Sequence, residues 1–138
     1  MIPVALQEAI YNRLANYSAL TALLASDPRF AAPAIFDHVP QDAVFPYVVI
    51  GDTTAIEWDT DDTTGAEYTV TLHVWSEYRG RKEAKKIQAE LYNALHRHEL
   101  AISGATTVTC EWEYAETVLD TDGLTRQGIT RFRVLAET

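Results

Sequence analysis

Little in this 138-residue chain could staple a fold or grip a polyanion. It holds one cysteine, Cys110, which excludes an intramolecular disulfide and agrees with a reducing compartment. Positive charge is scarce: eleven Lys and Arg against twenty Asp and Glu leave a formal net charge of −9. Phosphate contacts need a broad basic face, so this balance argues against a duplex nucleic-acid binder. No apolar run approaches the roughly 18 residues that span a membrane. The start MIPVALQEAIYNRL lacks the basic opening and apolar block of a signal peptide, so we expect the protein to stay in the cytoplasm in which it is made. No repeat, low-complexity stretch or linker divides residues 1–138, which read as one domain. A domain of this length buries about 68% of its unfolded surface, and an apolar content of 47% can fill that core without metals or disulfides.

Apolar periodicity supplies the elements. Leu6, Ile10, Leu14 and Tyr17 step at three and four residues after Pro3, predicting a helix over residues 3–24, with Ser18 as a possible break and recap. Prolines at 28, 33, 40 and 46 keep the next stretch irregular, apart from a short extended piece at Ile35 and Phe36. YVVIGDTTAIEW, 47–58, is rich in β-branched residues and reads as a strand. Its partner at 67–75 alternates: Tyr68, Val70, Leu72 and Val74 face one way, and Glu67, Thr69, Thr71 and His73 the other. Residues 59–65 form the hairpin tip. Ala84, Ile87, Leu91, Ala94 and Leu95 then predict a second helix over 81–96, after Gly80. The remainder reads as a second hairpin around Asp122 and Gly123. The predicted fold is α+β, an antiparallel four-stranded sheet of two hairpins with two helices packed on one face, in the order α-β-β-α-β-β.

Charge selects the register of the second hairpin. A three-residue loop of Thr121, Asp122 and Gly123, glycine left-handed, sets Glu113 opposite Arg131 and Glu111 opposite Arg133. Trp112 then faces Phe132, and Cys110 faces Val134. A two-residue turn would slip the pairing by one and oppose glutamates to the apolar set.

Five of the eleven basic residues, Arg79, Arg81, Lys82, Lys85 and Lys86, crowd the start of the second helix, where the backbone dipole disfavours them. The plain reading is a solvated face in which Lys86 pairs with Glu90; the functional reading is a contact surface. The tip DTDDTTG, with Asp59, Asp61 and Asp62, misses a calcium loop, because Thr64 stands sixth and Val70 twelfth. DTDG at 120–123 misses it too. His96 and His98 are two apart, so on a helix they diverge; they read as dipole partners at a helix end and not as metal ligands. His73, on the polar face, reads as a surface or contact residue, since no motif supplies a nucleophile. Cys110 reads as a buried apolar residue sharing a face with Val108 and Trp112. Trp112 is assigned to the core; Trp75, on the polar side, and Trp58 are candidate contact anchors. No catalytic set, metal or cofactor is expected.

FPYVVIGDTT, EWDT, EYTVTLHVWSEYRGRKEAKKI, ALH and DGLTRQGITRFRVL, in that order and spacing, resemble the phage tail-completion family of tail terminators, including those of gene transfer agents. The combination of PYVVIG, HVWS and Gly80-Arg81 is specific, and the resemblance spans nearly the whole chain. It implies a structural, non-enzymatic subunit. Such subunits form a ring, usually of six, on the head-proximal end of a tail tube, stop its polymerisation and join it to the head. Implied partners are other copies, the tail tube protein and a head-side neck or stopper protein, with DNA passing through and no membrane involved. Implied locations are the bacterial cytoplasm during assembly and then the virion. A two-faced sheet suits a channel-lining subunit, and a net negative lumen would let DNA slide. The basic helix start would dock on an acidic patch such as Asp59, Asp61 and Asp62 of the next copy or of the tube. The alternatives are a head-side neck or stopper protein and, from another class, a small-ligand-binding or enzymatic α+β domain, for which the residues offer no convergent polar set.

Overall fold

The computed structural model describes residues 2–29 and 31–138. Pro3 opens α1 (Pro3–Ala15), where its missing N–H removes no helix bond, and Leu6, Ile10 and Leu14 run down the buried side. The predicted continuation to residue 24 is cut. The Asn16 side-chain amide donates to the Asn12 carbonyl (2.7 Å), and extended backbone at Tyr17 precedes one further turn, α2 (Ser18–Thr21). The break falls just before Ser18, which is the first residue of the turn; the cap position is taken by Tyr17, with no side-chain cap bond.

The proline-rich stretch is more ordered than its composition suggests. β1 (Ser26–Asp27) and β2 (Ala32–Pro33) make a two-residue antiparallel ladder, while Phe30 between them lies outside the described residues. β3 (Ile35–Phe36) then joins the main sheet, parallel to β4 (Tyr47–Glu57), with Ile35 opposite Val48. Burial of Ile35 and the tilted contact of the Phe36 ring with Tyr47 (5.6 Å) hold it there.

Gly65–Ser76 forms β5, Lys82–Leu95 forms α3, and Thr106–Leu119 and Arg126–Glu137 form β6 and β7. The sheet order is β3-β4-β5-β7-β6, five strands with one parallel pair. The α+β class therefore stands. The expected four-stranded, fully antiparallel sheet with two helices is corrected to a mixed five-stranded sheet with three helices. An extended dipeptide too short to reveal its partner adds the strand, and the break before Ser18 adds the helix.

Alternation survives where it was legible. Tyr68, Val70, Leu72 and Val74 of β5, and Phe132, Val134 and Ala136 of β7, are buried beneath the helices. α3 covers β5, β6 and β7, and α1 covers β3 and β4. Each Val, Leu or Phe among them contributes about 1.5–3 kcal/mol by leaving water.

The second hairpin meets the register prediction by another route. Cys110, Glu111 and Trp112 do face Val134, Arg133 and Phe132. Glu113, however, is the extra residue of a bulge, and Tyr114 takes the place opposite Arg131, whose guanidinium lies 5.3 Å from the Tyr114 ring centre. Toward the turn the pairing slips by one. The loop has four residues, 121–124, closed by the Asp120 N–H to the Thr125 carbonyl (2.8 Å), with Gly123 left-handed as expected (φ 74°). Asp122 stabilises the longer loop: its carboxylate accepts from the Leu124 and Thr125 N–H groups (2.8 Å each) and from the Thr125 hydroxyl (2.6 Å). The bulge restores the apolar match beyond it.

Candidate functional site

β5 joins the two charged surfaces and fixes their separation. The acidic turn precedes Gly65 and the basic cluster follows Ser76, so a strand of about 36 Å lies between them. No chain can fold one onto the other.

The acidic turn is held by its own backbone. Trp58 N–H donates to the Gly65 carbonyl (3.0 Å), Thr60 N–H to the Thr63 carbonyl (2.9 Å), and Gly65 N–H to Asp59 Oδ1 (2.9 Å). The Gly65 N–H, with a hydrogen bond shared with Glu57, keeps the Asp59 carboxyl below its ordinary pKa; Glu57 is raised by the same shared bond and by the charge of Asp59. Asp61 and Asp62 project into solvent. Trp58 is half-buried, and its ring and carbonyl lie where a Cβ on Gly65 would stand (3.1 and 2.8 Å). It braces the turn.

At the other end, Ser76 is buried and its hydroxyl donates to Glu83 (2.8 Å) while accepting the Tyr78 N–H (3.1 Å). Gly80 takes φ 94°, a left-handed turn, and Arg81 caps α3 without a side-chain bond. Glu83 supplies the first-turn carboxylate that the helix dipole favours. Arg79, Arg81, Lys82, Lys85 and Lys86 are exposed, and none has a carboxylate within 4 Å among the described residues. The expected Lys86–Glu90 pair is not formed; Glu90 instead accepts from the Asn93 amide (3.5 Å).

The sheet face away from the helices is mixed where polarity was predicted. Trp75 is half-buried there, in register with Tyr47 and Gln127, and Phe45 and Phe36 pack on Tyr47 (5.0 and 5.6 Å). His73 shares a hydrogen bond with Gln127 (2.9 Å), and burial lowers its pKa against the pull of Asp52. The ring lies over Gly51, where a Cβ would stand 2.7 Å from it. Arg133 approaches Glu67 (3.8 Å), and Arg131 stacks on Tyr114.

Three other assignments change or stand. Trp112 shares the helix-covered face with Phe132, yet it is 43% exposed, because β6 is the margin of the sheet; from α3 the Tyr92 ring meets the Trp112 ring edge-on (5.9 Å). His96 serves that strand and not the helix dipole: Nδ1 accepts the Trp112 N–H (3.0 Å) and the ring stacks on Tyr92 (4.5 Å). Cys110 is buried, as expected, and burial pushes its thiol up to about 12. No group of three or more His, Cys, Asp or Glu side chains is placed to share a metal among the described residues.

Sequence reasoning missed Gln88. Its amide donates to the Glu116 carbonyl (3.0 Å) and the Thr130 hydroxyl (3.1 Å) and accepts from the Thr117 hydroxyl (3.0 Å), fastening α3 across β7 and β6. Gly128 makes room, since a Cβ there would stand 2.9 Å from the Gln88 amide. A polar residue in phase with the apolar stripe of α3 was the available signal. The open apolar residues of the margins, such as Ile56 and Leu119, were missed too, because periodicity does not say which strands are outermost.

A five-stranded sheet of two hairpins and one short parallel strand, backed by helices and carrying an acidic turn and a basic cluster at opposite ends of β5, has the build of a structural assembly protein. The chain belongs to the tail completion protein gp17 family, whose sequence profile matches residues 8–137. It is 31% identical over 129 residues to tail completion protein gp17 of Bacillus phage SPP1, covering 94% of this chain and 90% of that one. The solved structure of the SPP1 gp17 protein superposes with a TM-score of 0.59 over 94% of this chain and 87% of that one. A chain of the native gene transfer agent virion superposes at 0.87, with 24% identity, over 99% of this chain and 98% of that one; it shares the fold.

Proposed function

We propose that copies of this chain close into a ring, six by the family resemblance, at the head-proximal end of a phage-type tail tube. There the ring ends tube polymerisation and joins tail to head. The carrying observation is the acidic turn and the basic cluster at the two ends of β5, about 36 Å apart, with no ion pair to either among the described residues. A subunit of this kind is polar along the tube axis. Its basic end, Arg79, Arg81, Lys82, Lys85 and Lys86, meets an acidic surface of the tube or neck, and its acidic turn, Asp59, Asp61 and Asp62, faces the other way. A ring that matches the tube on one face and differs on the other removes the template for further addition. Trp75, with Tyr47 beside it, and Trp58 are apolar anchors within these contacts.

The outer sheet face suits the lumen. Its cations are occupied, Arg133 near Glu67 and Arg131 over Tyr114, so few are free to hold phosphates of passing DNA. The gp17 name of the SPP1 relative supports a place in the completed tail, and the likeness to a chain of the gene transfer agent virion supports the conformation such a place requires. No helix among the described residues is long and apolar enough to cross a membrane. Within this reading residues 1–138 act as one unit without cofactor or turnover.

The test is attachment. Purified protein should decorate one end of tail tubes in electron micrographs, and Arg81→Glu with Lys82→Glu should abolish decoration while leaving the melting temperature unchanged. Tails made without the protein should be of abnormal length. Normal tails in its absence, or binding to empty heads and not to tubes, would refute the terminator reading.

A further inference from the structure

Among the described residues, two stretches of strand are left without a neighbouring strand. On one margin β3 pairs with β4 only at Val48 and Val49, leaving residues 52–57 open. On the other, the segment after α3 covers β6 through the Arg97 N–H to the Cys110 carbonyl (2.6 Å) and through His96 on the Trp112 N–H. Residues 113–119 beyond it are an open edge, apart from the Glu116 carbonyl taken by Gln88. Long open edges are an aggregation hazard unless something pairs with them.

We infer that these two edges pair with each other between neighbouring copies, so that the ring is closed by one continuous antiparallel sheet. The inference rests on the ring reading above. Strand direction allows it: β4, β5, β7 and β6 alternate in direction, so a neighbour's β4 placed beside β6 runs antiparallel to it. Facing then selects the register. Thr54 and Ile56 lie on the outer face, in register with Thr69 and Glu67; Tyr114 and Glu116 lie on the same face, in register with Arg131 and Ile129. The alignment that keeps faces together and joins exposed apolar residues sets Ile56 opposite Tyr114, Ala55 opposite Ala115 and Thr54 opposite Glu116. Within these three pairs no like charges are opposed, and the next position brings Glu57 to Glu113, the residue that the β6 bulge sets out of the ladder.

Stagger supplies an independent check. The row of Ala55 runs through Tyr68 and Val134 to Cys110, whereas the row of Ala115 runs through Thr130 to Leu72, four residues further along β5. Four residues of rise, about 13 Å, over four strand spacings, about 19 Å, tilt the strands by about 35°. Closed barrels tilt by about 35–45°, and this value does not depend on the number of copies. The same alignment carries the neighbour's acidic turn alongside Arg97, an exposed cation with no carboxylate within 4 Å among the described residues.

Cysteine cross-linking tests the register. Opposed residues of an antiparallel pair have Cα atoms roughly 4.5–5.5 Å apart, within disulfide reach. In a Cys110→Ala background, Ile56→Cys with Tyr114→Cys should give, on oxidation of assembled protein, a ladder ending in a covalently closed ring that reductant dissolves. Thr54→Cys with Glu116→Cys tests the same register at a second place, should the first pair disturb the sheet. Ile56→Cys with Ala115→Cys, on opposite faces, should give no ladder. Electron microscopy of the unmodified protein on tails reads ring formation separately. Rings that form without either on-register cross-link overturn the strand pairing and leave the ring; absence of any closed assembly overturns both.

Discussion

The centre of the sheet and its margins obey the same backbone chemistry and arrive at different ends. β5 and β7 bury every second side chain against the helices, from Tyr68 to Val74 and from Thr130 to Ala136. β4 and β6 begin or pass through the core and then leave it: Ile56 is 63% exposed, and Leu119 and Val108 are open as well. The central strands are flanked on both sides and make the fold. The outer strands carry apolar surface that a lone chain has no use for, which is the signature of a surface awaiting a partner.

If that division is real, substitutions at the centre should cost stability and substitutions at the margins should not. The largest effect falls on Phe132, 1% exposed on β7: Phe132→Ala should destabilise the monomer by about 3–5 kcal/mol, read by denaturant titration, and prevent assembly only as a consequence. Ile56→Ala at the margin should change the same titration by under about 0.5 kcal/mol. Equal losses would erase the distinction. Next comes the joint between helix and sheet. Gln88→Ala leaves the Thr117 and Thr130 hydroxyls without their buried partner and should cost about 1–3 kcal/mol. Gly128→Ala should act through the same amide, which stands 2.9 Å from the new methyl, so the double variant should lose less than the sum of the two.

The same division sets what could be read beforehand. Alternation in 67–75 announced β5 because a strand flanked on both sides must obey period two, and the stripe from Ala84 to Leu95 announced α3 for the matching reason. Cross-strand charge found the pairing of Glu111 with Arg133, since that segment lies deep in the ladder. It failed at Glu113, because a bulge and a four-residue loop shift the register by one in opposite senses, and no pattern of charges registers a compensated pair of shifts. Trp112 was placed on the right face and given the wrong burial, because residue type reports a face while position in the sheet decides coverage. The charged cluster and the acidic turn were legible as residues; that they stand at opposite ends became visible only when β5 was seen to run from one to the other.

Charge at the ends should separate assembly from stability more sharply than any core change. Arg81→Glu with Lys82→Glu should alter the monomer by under about 0.5 kcal/mol, since both side chains are exposed and neither is ion-paired among the described residues, yet remove tube decoration in electron micrographs. A fall in monomer stability with decoration intact would place the cluster on the structural side.

The smallest effect distinguishes the two hairpin tips by pH. Asp122 is held below its ordinary value of 3.8, first by the Thr125 hydroxyl and then by the Thr125 and Leu124 N–H groups. A depressed folded-state pKa means the carboxylate stabilises the loop above pH 3.8, the value it keeps when unfolded, and that this contribution is lost as pH falls through the lower folded value. Asp59 follows the same sign, held down by the Gly65 N–H, but shares its hydrogen bond with Glu57, which is raised. On acidification Glu57 should therefore take up a proton before Asp59 does, so the first tip should respond at higher pH than the second. Carboxyl titrations followed by NMR should place the Glu57 midpoint above 4.5 and the Asp122 midpoint below 3.8, and Asp122→Asn should abolish the acid-side change at the Leu124 and Thr125 amides while leaving that of Gly65 in place. Midpoints in the reverse order would mean that the first tip is not closed by its shared carboxylate bond, and that its acidic side chains are free to rearrange when they meet a partner.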